Sequence, residues 1–145
     1  MAPDVRKVDE LLARYGEFHR NPVNKVVHWI CVPLIVWSLL GMLWAASPLA
    51  AYLAIGAAMV FYLWLSVPLA VGMLAVVALM VYPLTLLGAQ ALVVSIVVFV
   101  AAWIGQFIGH VVEGRKPAFL DDIRSLLVGP VWLLGFVYRR LGIAY

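Results

Sequence analysis

Three histidines, His19, His28 and His110, are the residues of this sequence whose side chains are best suited to bind a metal ion. Two of them lie just inside the ends of a long stretch, residues 26–112, that contains no Lys, Arg, Asp or Glu. Neutral imidazole nitrogens are common ligands of iron, zinc and copper. Three histidines with one carboxylate match a mononuclear non-haem iron site that keeps positions open, although zinc accepts the same ligand types.

Polar residues accompany two of these histidines at helical spacing. Asn24 precedes His28 by four positions, Gln106 precedes His110 by four, and Glu113 follows His110 by three. Residues at such spacings share one face of a helix. We therefore expect Asn24 and Gln106 to orient the histidines, and Glu113 to be a further ligand or to orient a ligand histidine. In the competing interpretation these are ordinary hydrogen-bonded residues, and Gln106 only holds helices together.

The composition is that of an integral membrane protein. Hydrophobic residues make up 66% of the chain and charged residues 12%, whereas a soluble domain has about 25% charged residues. A charge at the bilayer centre costs about 2.5–3.5 kcal/mol, so the uncharged stretch is expected to lie in lipid. The net charge of +3 is too small for nucleic-acid binding and suits anionic lipid headgroups.

The uncharged stretch is long enough for four transmembrane helices of about 20 residues each. Proline disfavours the helical conformation in the residue before it, so Ser47-Pro48 and Ser66-Val67-Pro68 are expected breaks, with a third near Gly88. Pro83 predicts a kink or an early end of the third span. The predicted spans are 26–46, 49–66, 68–87 and 89–110. The alternative merges the second and third spans into a re-entrant hairpin.

The distribution of positive charge predicts the orientation. All Lys and Arg residues lie before or after the spans, so the positive-inside rule predicts that both termini are cytoplasmic and that the number of spans is even. His28, at the start of the first span, and His110, at the end of the fourth, then lie at the same membrane face. The alanine- and valine-rich spans favour a bacterial inner membrane, or the endoplasmic reticulum if the host is eukaryotic.

Two further helices are predicted outside the spans. Apolar residues three and four positions apart within 4–19 predict an amphipathic helix in the membrane interface. Asn21-Pro22 resembles a helix N-cap followed by proline at the first helical position. The apolar run Leu126–Val137, broken by Gly129-Pro130, is too short to span and is predicted to be an interfacial or re-entrant helix. The residues of the amphipathic face are Val5, Val8, Leu11, Leu12, Tyr15 and Phe18.

The predicted fold is thus an all-α integral membrane protein with a single domain over residues 1–145. An N-terminal interfacial helix occupies residues 1–20, a four-span bundle residues 26–110, and a segment on the cytoplasmic face residues 113–145.

Two segments of the sequence resemble a known family. The first is YGEFHRNPVN, residues 15–24, followed by His28 and Val32-Pro33, and the second is WIGQFIGH, residues 103–110, followed by EGRKPA at 113–118. With Gly129-Pro130, they resemble the 2-hydroxy-fatty-acid dioxygenases, small membrane proteins long catalogued as a domain of unknown function. Fungal members have a second histidine where this chain has Arg20, and the stretch from His110 to Pro117 is one residue shorter here.

The resemblance implies an Fe(II)-dependent dioxygenase that uses O2 to cleave the C1–C2 bond of long-chain 2-hydroxy fatty acids, releasing CO2 and an acid one carbon shorter, as in alpha-oxidation. It places His19, His28 and His110 on the histidine positions of the family, as iron ligands. A 2-hydroxy carboxylate chelates through two oxygens, which is compatible with so few protein ligands. The cationic residues Arg20, Arg115 and Lys116 are candidates to pair with the substrate carboxylate.

Two other classes of protein fit the same residues. A four-span electron-transfer protein with His28 and His110 as axial haem ligands would show a Soret band. A non-enzymatic lipid-binding or scaffold protein would bind no metal and would tolerate substitution of the histidines. The sequence does not indicate an oligomeric state.

Overall fold

The computed structural model describes residues 6–145, which form α-helices and short 3-10 turns and contain no strand. This confirms the all-α prediction. Residues 1–5 lie outside the described part, and with them the predicted apolar position Val5. The helices are α1 (Lys7–Gly16), α2 (Pro22–Ala46), α3 (Pro48–Leu65), α4 (Val67–Leu87), α5 (Ala91–Glu113) and α6 (Ser125–Leu141), and the 3-10 turns are Gly88–Gln90 and Ala118–Leu120.

Within residues 6–145, three helical stretches are long and apolar enough to cross a membrane: Pro22–Ala46, Pro48–Leu65 and Val67–Glu113. These helices are compatible with the predicted integral membrane protein. The third stretch has 47 residues, or about 70 Å if straight, which is more than twice the bilayer core of about 30 Å. The 3-10 turn Gly88–Gln90 interrupts it, and Gly88 adopts a φ of 52° that favours glycine. The count of four spans stays a prediction.

Serine and proline end one helix and begin the next, as predicted. Ser47 and Ser66 are extended residues (φ −168° for both) that terminate α2 and α3, and each is followed by proline in the first turn of the next helix. Three other prolines do not end their helices: Pro33 lies inside α2, Pro83 lies inside α4, which continues to Leu87 and does not end early, and Pro130 lies inside α6. The predicted break at Gly129-Pro130 is therefore wrong, because an internal proline removes one amide donor without ending the helix.

Helices α2 and α5 pack closely and run antiparallel. Gly41 of α2 faces Ser95 near the start of α5, while Cys31 of α2 faces Gly105 near its end. A Cβ atom at Gly105 would lie 2.7 Å from the Cys31 sulfur, so the glycine allows the two backbones to approach. The start of α2 and the end of α5 consequently lie side by side.

Helices α1 and α6 cover this end of the bundle. Val8, Leu12 and Tyr15 of α1 are buried in one cluster with Val128 and Val131 of α6. The amphipathic helix is shorter than predicted, since α1 ends at Gly16, and its apolar face packs on protein. Whether α1 and α6 lie in the membrane interface stays a prediction.

Candidate metal centre

The structure brings the three histidines together. His19 follows α1, His28 is in the second turn of α2, and His110 is near the end of α5, and their exposed fractions are 1%, 1% and 5%. The ring centroids of His19 and His28 are 3.9 Å apart, and those of His28 and His110 are 4.9 Å apart. One ligand nitrogen from each residue lies within 4.8 Å of the other two. The antiparallel pairing of α2 and α5 produces the second of these contacts.

A turn between α1 and α2 directs His19 back towards His28. The amides of Phe18 and His19 donate to carbonyls three residues earlier, which reverses the chain after Gly16. Asn21 then begins α2, and its side-chain oxygen accepts the amide hydrogen of Val23 at 2.9 Å. This confirms the predicted N-cap. Because His19 lies in the turn before α2 and not on the same helix as His28, their separation of nine residues does not keep them apart.

Two backbone carbonyls determine which nitrogens of His19 and His28 carry hydrogen. The Nδ1 atom of His19 lies 2.7 Å from the carbonyl oxygen of Tyr15, and Nδ1 of His28 lies 2.9 Å from that of Asn24. A carbonyl oxygen only accepts, so each Nδ1–H donates to it. In the neutral rings the Nε2 atoms then carry lone pairs, and they face each other 2.7 Å apart.

Two facing lone pairs repel unless a cation or a shared proton lies between them. Burial, the largest influence, lowers the pKa of His19 to about 4, so this residue is neutral at physiological pH. Two ligand nitrogens with bonds of about 2.1 Å at a right angle to each other on one metal ion would lie about 3 Å apart, close to the observed distance. The Nδ1 atom of His110 is buried without a hydrogen-bond partner. The donor set therefore fits a metal ion.

Glu113 holds the His19 turn against the end of α5. Its carboxylate accepts hydrogen bonds from the backbone amides of Arg20 (3.0 Å) and Asn21 (2.8 Å) and from the side-chain amide of Asn24 (3.1 Å). Asn24, which is fully buried, also donates to the carbonyl of Phe18 at 3.2 Å. Glu113 is not part of the group of three histidines, and its hydrogen bonds hold the turn that carries His19 in place. A direct bond from Glu113 to a metal stays untested.

The other predicted site residues divide into two groups. Gln106 lines the cavity beside the histidines, and its buried side-chain oxygen has no hydrogen-bond partner. Arg20, Arg115 and Lys116 are exposed and do not line that cavity. The Arg115 guanidinium donates to the carbonyl of Glu17 at 2.9 Å, and Lys116 forms an ion pair with an aspartate. Carboxylate binding by the three cations stays a prediction.

Sequence reasoning missed the role of Tyr15 in this site. Its ring stacks on His19 with centroids 4.3 Å apart and an angle of 19° between the planes, and its carbonyl orients the same histidine. Gly129 of α6 leaves room for the Tyr15 hydroxyl, because a Cβ there would lie 2.8 Å from it. The spacing of four residues between Tyr15 and His19 was a signal for this contact.

A small cavity of about 50 Å³ beside the histidines adjoins a larger apolar cavity of about 400 Å³. The larger volume falls in the range of small-molecule sites, about 300–1,000 Å³. The ring centroids of His28 and His110 are 4.9 Å apart, too close for a porphyrin to lie between them, which argues against the haem alternative. The residues that line both cavities are Ile35, Val36, Trp103, Leu126 and Pro130.

These features define an all-helical protein with helices long and apolar enough to cross a membrane, and with a buried group of three histidines that fits a metal ion beside an apolar cavity. Residues 5–141 match the family described as 2-hydroxy-palmitic acid dioxygenase Mpo1-like. The chain is 33% identical over 141 residues to 2-hydroxy-palmitic acid dioxygenase MPO1 of Saccharomyces cerevisiae, an alignment that covers 90% of this chain and 79% of the yeast protein. No solved structure matches the chain. The chain belongs to the Mpo1-like family, which confirms the resemblance seen in the sequence motifs.

Proposed function

We propose that this chain is an Fe(II)-dependent dioxygenase that cleaves long-chain 2-hydroxy fatty acids between C1 and C2. One substrate and one O2 would yield CO2, water and the acid one carbon shorter. The substrate supplies all the electrons that reduce O2, so no further co-substrate is needed. The observation that carries the proposal is the pair of facing Nε2 atoms, 2.7 Å apart, in His19 and His28. The name of the yeast relative supports the substrate class.

Each residue of the site has a role in this proposal. His19, His28 and His110 hold the iron. Bound there, Fe(II) would supply open coordination positions for the 2-hydroxy carboxylate and the redox chemistry through which O2 reacts. Asn24 orients His28 through its carbonyl and bonds Glu113 through its amide.

The remaining polar residues act on the substrate or on the ligands. Glu113 positions the His19 turn through its three hydrogen bonds. The unpartnered oxygen of Gln106 accepts a hydrogen bond from the 2-hydroxyl of the substrate. Arg20, Arg115 and Lys116 attract the carboxylate towards this end of the bundle by their charge.

The proposed topology is a single membrane domain with four spans, both termini in the cytoplasm and the histidines at the cytoplasmic face. Three features support it: the confinement of Lys and Arg to the two ends of the chain, the turn at Gly88, and the antiparallel packing of α2 on α5. We propose a bacterial inner membrane, or the endoplasmic reticulum in a eukaryote. Substrate would reach the site from the membrane lipid.

A turnover assay with labelled substrate tests the proposal. Purified protein is loaded anaerobically with Fe(II), exposed to O2 and given 2-hydroxypalmitic acid that carries ¹³C at C1. We expect labelled CO2 and an unlabelled shorter acid in equal amounts, and neither product from the His19→Ala variant. Label retained in the acid product, or no turnover by the iron-loaded protein, would overturn the proposal.

The apolar cavity favours a second candidate function, lipid binding without catalysis. A protein of this kind would bind long-chain acids equally well with and without Fe(II), and the three histidine-to-alanine variants would bind as tightly as the parent. The labelled-substrate assay separates the two candidates, because only the dioxygenase produces labelled CO2.

A further inference from the structure

The larger apolar cavity runs deep into the helix bundle, away from the histidines. On α2 it is lined from Ile35 to Leu43, which corresponds to about 12 Å along the helix axis. From His28 to Leu43 the distance along the axis is about 22 Å. Since one leaflet is half of a bilayer core of about 30 Å, a long acyl chain extends about 15 Å. One such chain fits between the histidines and Leu43.

Helix α3 forms the opposite wall with residues spaced four apart on one face. Tyr62 lies towards the histidine end, where its hydroxyl donates to the carbonyl of Leu127 in α6 at 2.8 Å. At the far end the rings of Trp44 and Tyr52 meet edge to face across the α2–α3 turn, with centroids 5.7 Å apart. Between these two levels the cavity is lined by Ala58 and then by Ala54, whose methyl side chains leave the space open.

The chemistry of the lining determines which end of a ligand can enter. Its side chains are aliphatic, aromatic or thioether, and the hydroxyl of Tyr62 is already bonded. Trp103, whose indole N–H is the remaining side-chain donor, also lines the small cavity beside the histidines. A carboxylate in such surroundings would have no partner, which is costly. The larger cavity shares five lining residues with the small cavity beside the histidines. The acid group of a bound ligand is therefore expected to lie at the histidines, and its acyl chain in the larger cavity.

We propose that this cavity measures the acyl chain of the substrate, and that Ala58, Ala54 and Leu43 set the length that is accepted. The inference rests on the proposed function for the identity of the acid group. Ala58 is about 6 Å nearer to the histidines than Ala54, because four residues separate them on one helix. A bulky side chain at position 58 therefore blocks the cavity closer to the histidines, and leaves room for a shorter acyl chain, than one at position 54.

Three phenylalanine variants of α3 test whether the cavity limits the acyl-chain length, a property that we call the ruler. Ala58→Phe and Ala54→Phe fill the cavity, and Ala57→Phe adds the same bulk on the exposed side of α3 as the matched control. For each variant, kcat/KM is measured across a graded series of saturated 2-hydroxy acids from medium to very long chain. We expect the optimum to be shortest in Ala58→Phe, intermediate in Ala54→Phe and unchanged in Ala57→Phe. Each methylene excluded from the cavity lowers kcat/KM about fourfold.

A fourth variant enlarges the cavity, and therefore does not depend on how well the filled variants fold. Leu43→Ala removes bulk at the far end, so we expect its optimum to move to longer chains. Turnover by the parent protein with the same optimum in the parent, Ala58→Phe, Ala54→Phe and Leu43→Ala would overturn the ruler.

Binding without turnover separates a failure of this inference from a failure of the proposed function. The thermal stabilisation of each protein by saturated fatty acids of graded length is measured without oxygen. If the parent turned over no 2-hydroxy acid but the stabilising chain length still shifted in the same order, the ruler would stand and the dioxygenase proposal would fall. Equal stabilisation of all variants at every length would overturn the ruler itself.

Discussion

Replacement of Glu113 by glutamine tests how the site is held in shape. The carboxylate accepts hydrogen bonds of 3.0 and 2.8 Å from the backbone amides of Arg20 and Asn21, next to His19. Glutamine keeps one accepting oxygen and turns an NH2 group towards the other backbone donor, which loses its partner. A hydrogen bond to a charged group contributes about 1.5–3 kcal/mol. Loss of one such bond disfavours the turn about tenfold to hundredfold.

We therefore expect Glu113→Gln to weaken Fe(II) binding about tenfold to hundredfold, which is the usual effect of losing a group that orients metal ligands. The dissociation constant is measured anaerobically by competition with a chelator, together with the thermal midpoint of the metal-free protein. Glu17→Gln is the matched control, because Glu17 is exposed and its side chain makes no hydrogen bond or ion pair in the described part of the chain.

Two results would refute this reasoning. If Glu113→Gln bound Fe(II) as tightly as Glu17→Gln, the contact with the His19 turn would not position the ligand. If Glu113→Gln bound no Fe(II) while its thermal midpoint stayed unchanged, Glu113 would be a direct ligand.

Two further predictions concern stability. Burial lowers the pKa of His19 to about 4, below the unfolded value of about 6.5, so the unfolded chain binds a proton first as the pH falls. The metal-free protein is thus expected to lose up to about 3 kcal/mol of stability between pH 6.5 and 4, and equal denaturant midpoints at pH 7 and 4.5 would contradict this. A Cβ at Gly109 would lie 2.5 Å from Oδ1 of Asn24, so Gly109→Ala is expected to cost about 1–3 kcal/mol. Gly56→Ala, whose Cβ meets nothing within 4 Å, serves as the control in the same unfolding assay, and an equal effect of both changes would be contrary to expectation.

The parts of the fold that depend on local chemistry could be predicted from the sequence. The helix breaks at Ser47 and Ser66 follow from prolines one and two positions after them. Asn21 begins α2 as a cap because its side-chain oxygen accepts the amide hydrogen of Val23, which has no partner within the helix. The partner of the apolar face of α1 could not be predicted. A stripe of apolar residues fits lipid and protein equally well, and only the position of α6 decides between them.

The same division holds for the candidate site. Helical spacing correctly grouped Gln106 with His110, which line the same cavity. The even number of spans predicted only that His28 and His110 lie at the same membrane face, and the packing of α2 on α5 brings their rings into contact. Other contacts involve backbone atoms, such as the carbonyl of Tyr15 that orients His19 and the amides that bind Glu113. Every residue type has the backbone carbonyl and every type except proline has the amide hydrogen, so such contacts do not depend on a particular side chain and cannot be recognised in the sequence.

Elemental metal analysis of the purified protein, beside its His28→Ala and His110→Ala variants, tests the central claim most directly. We expect iron close to one equivalent in the parent, no Soret absorbance, and loss of iron in both variants, because each removes one of three buried donors. A parent protein that held no iron even after anaerobic loading with Fe(II), or variants that kept as much iron as the parent, would contradict the assignment of the three histidines as an iron site.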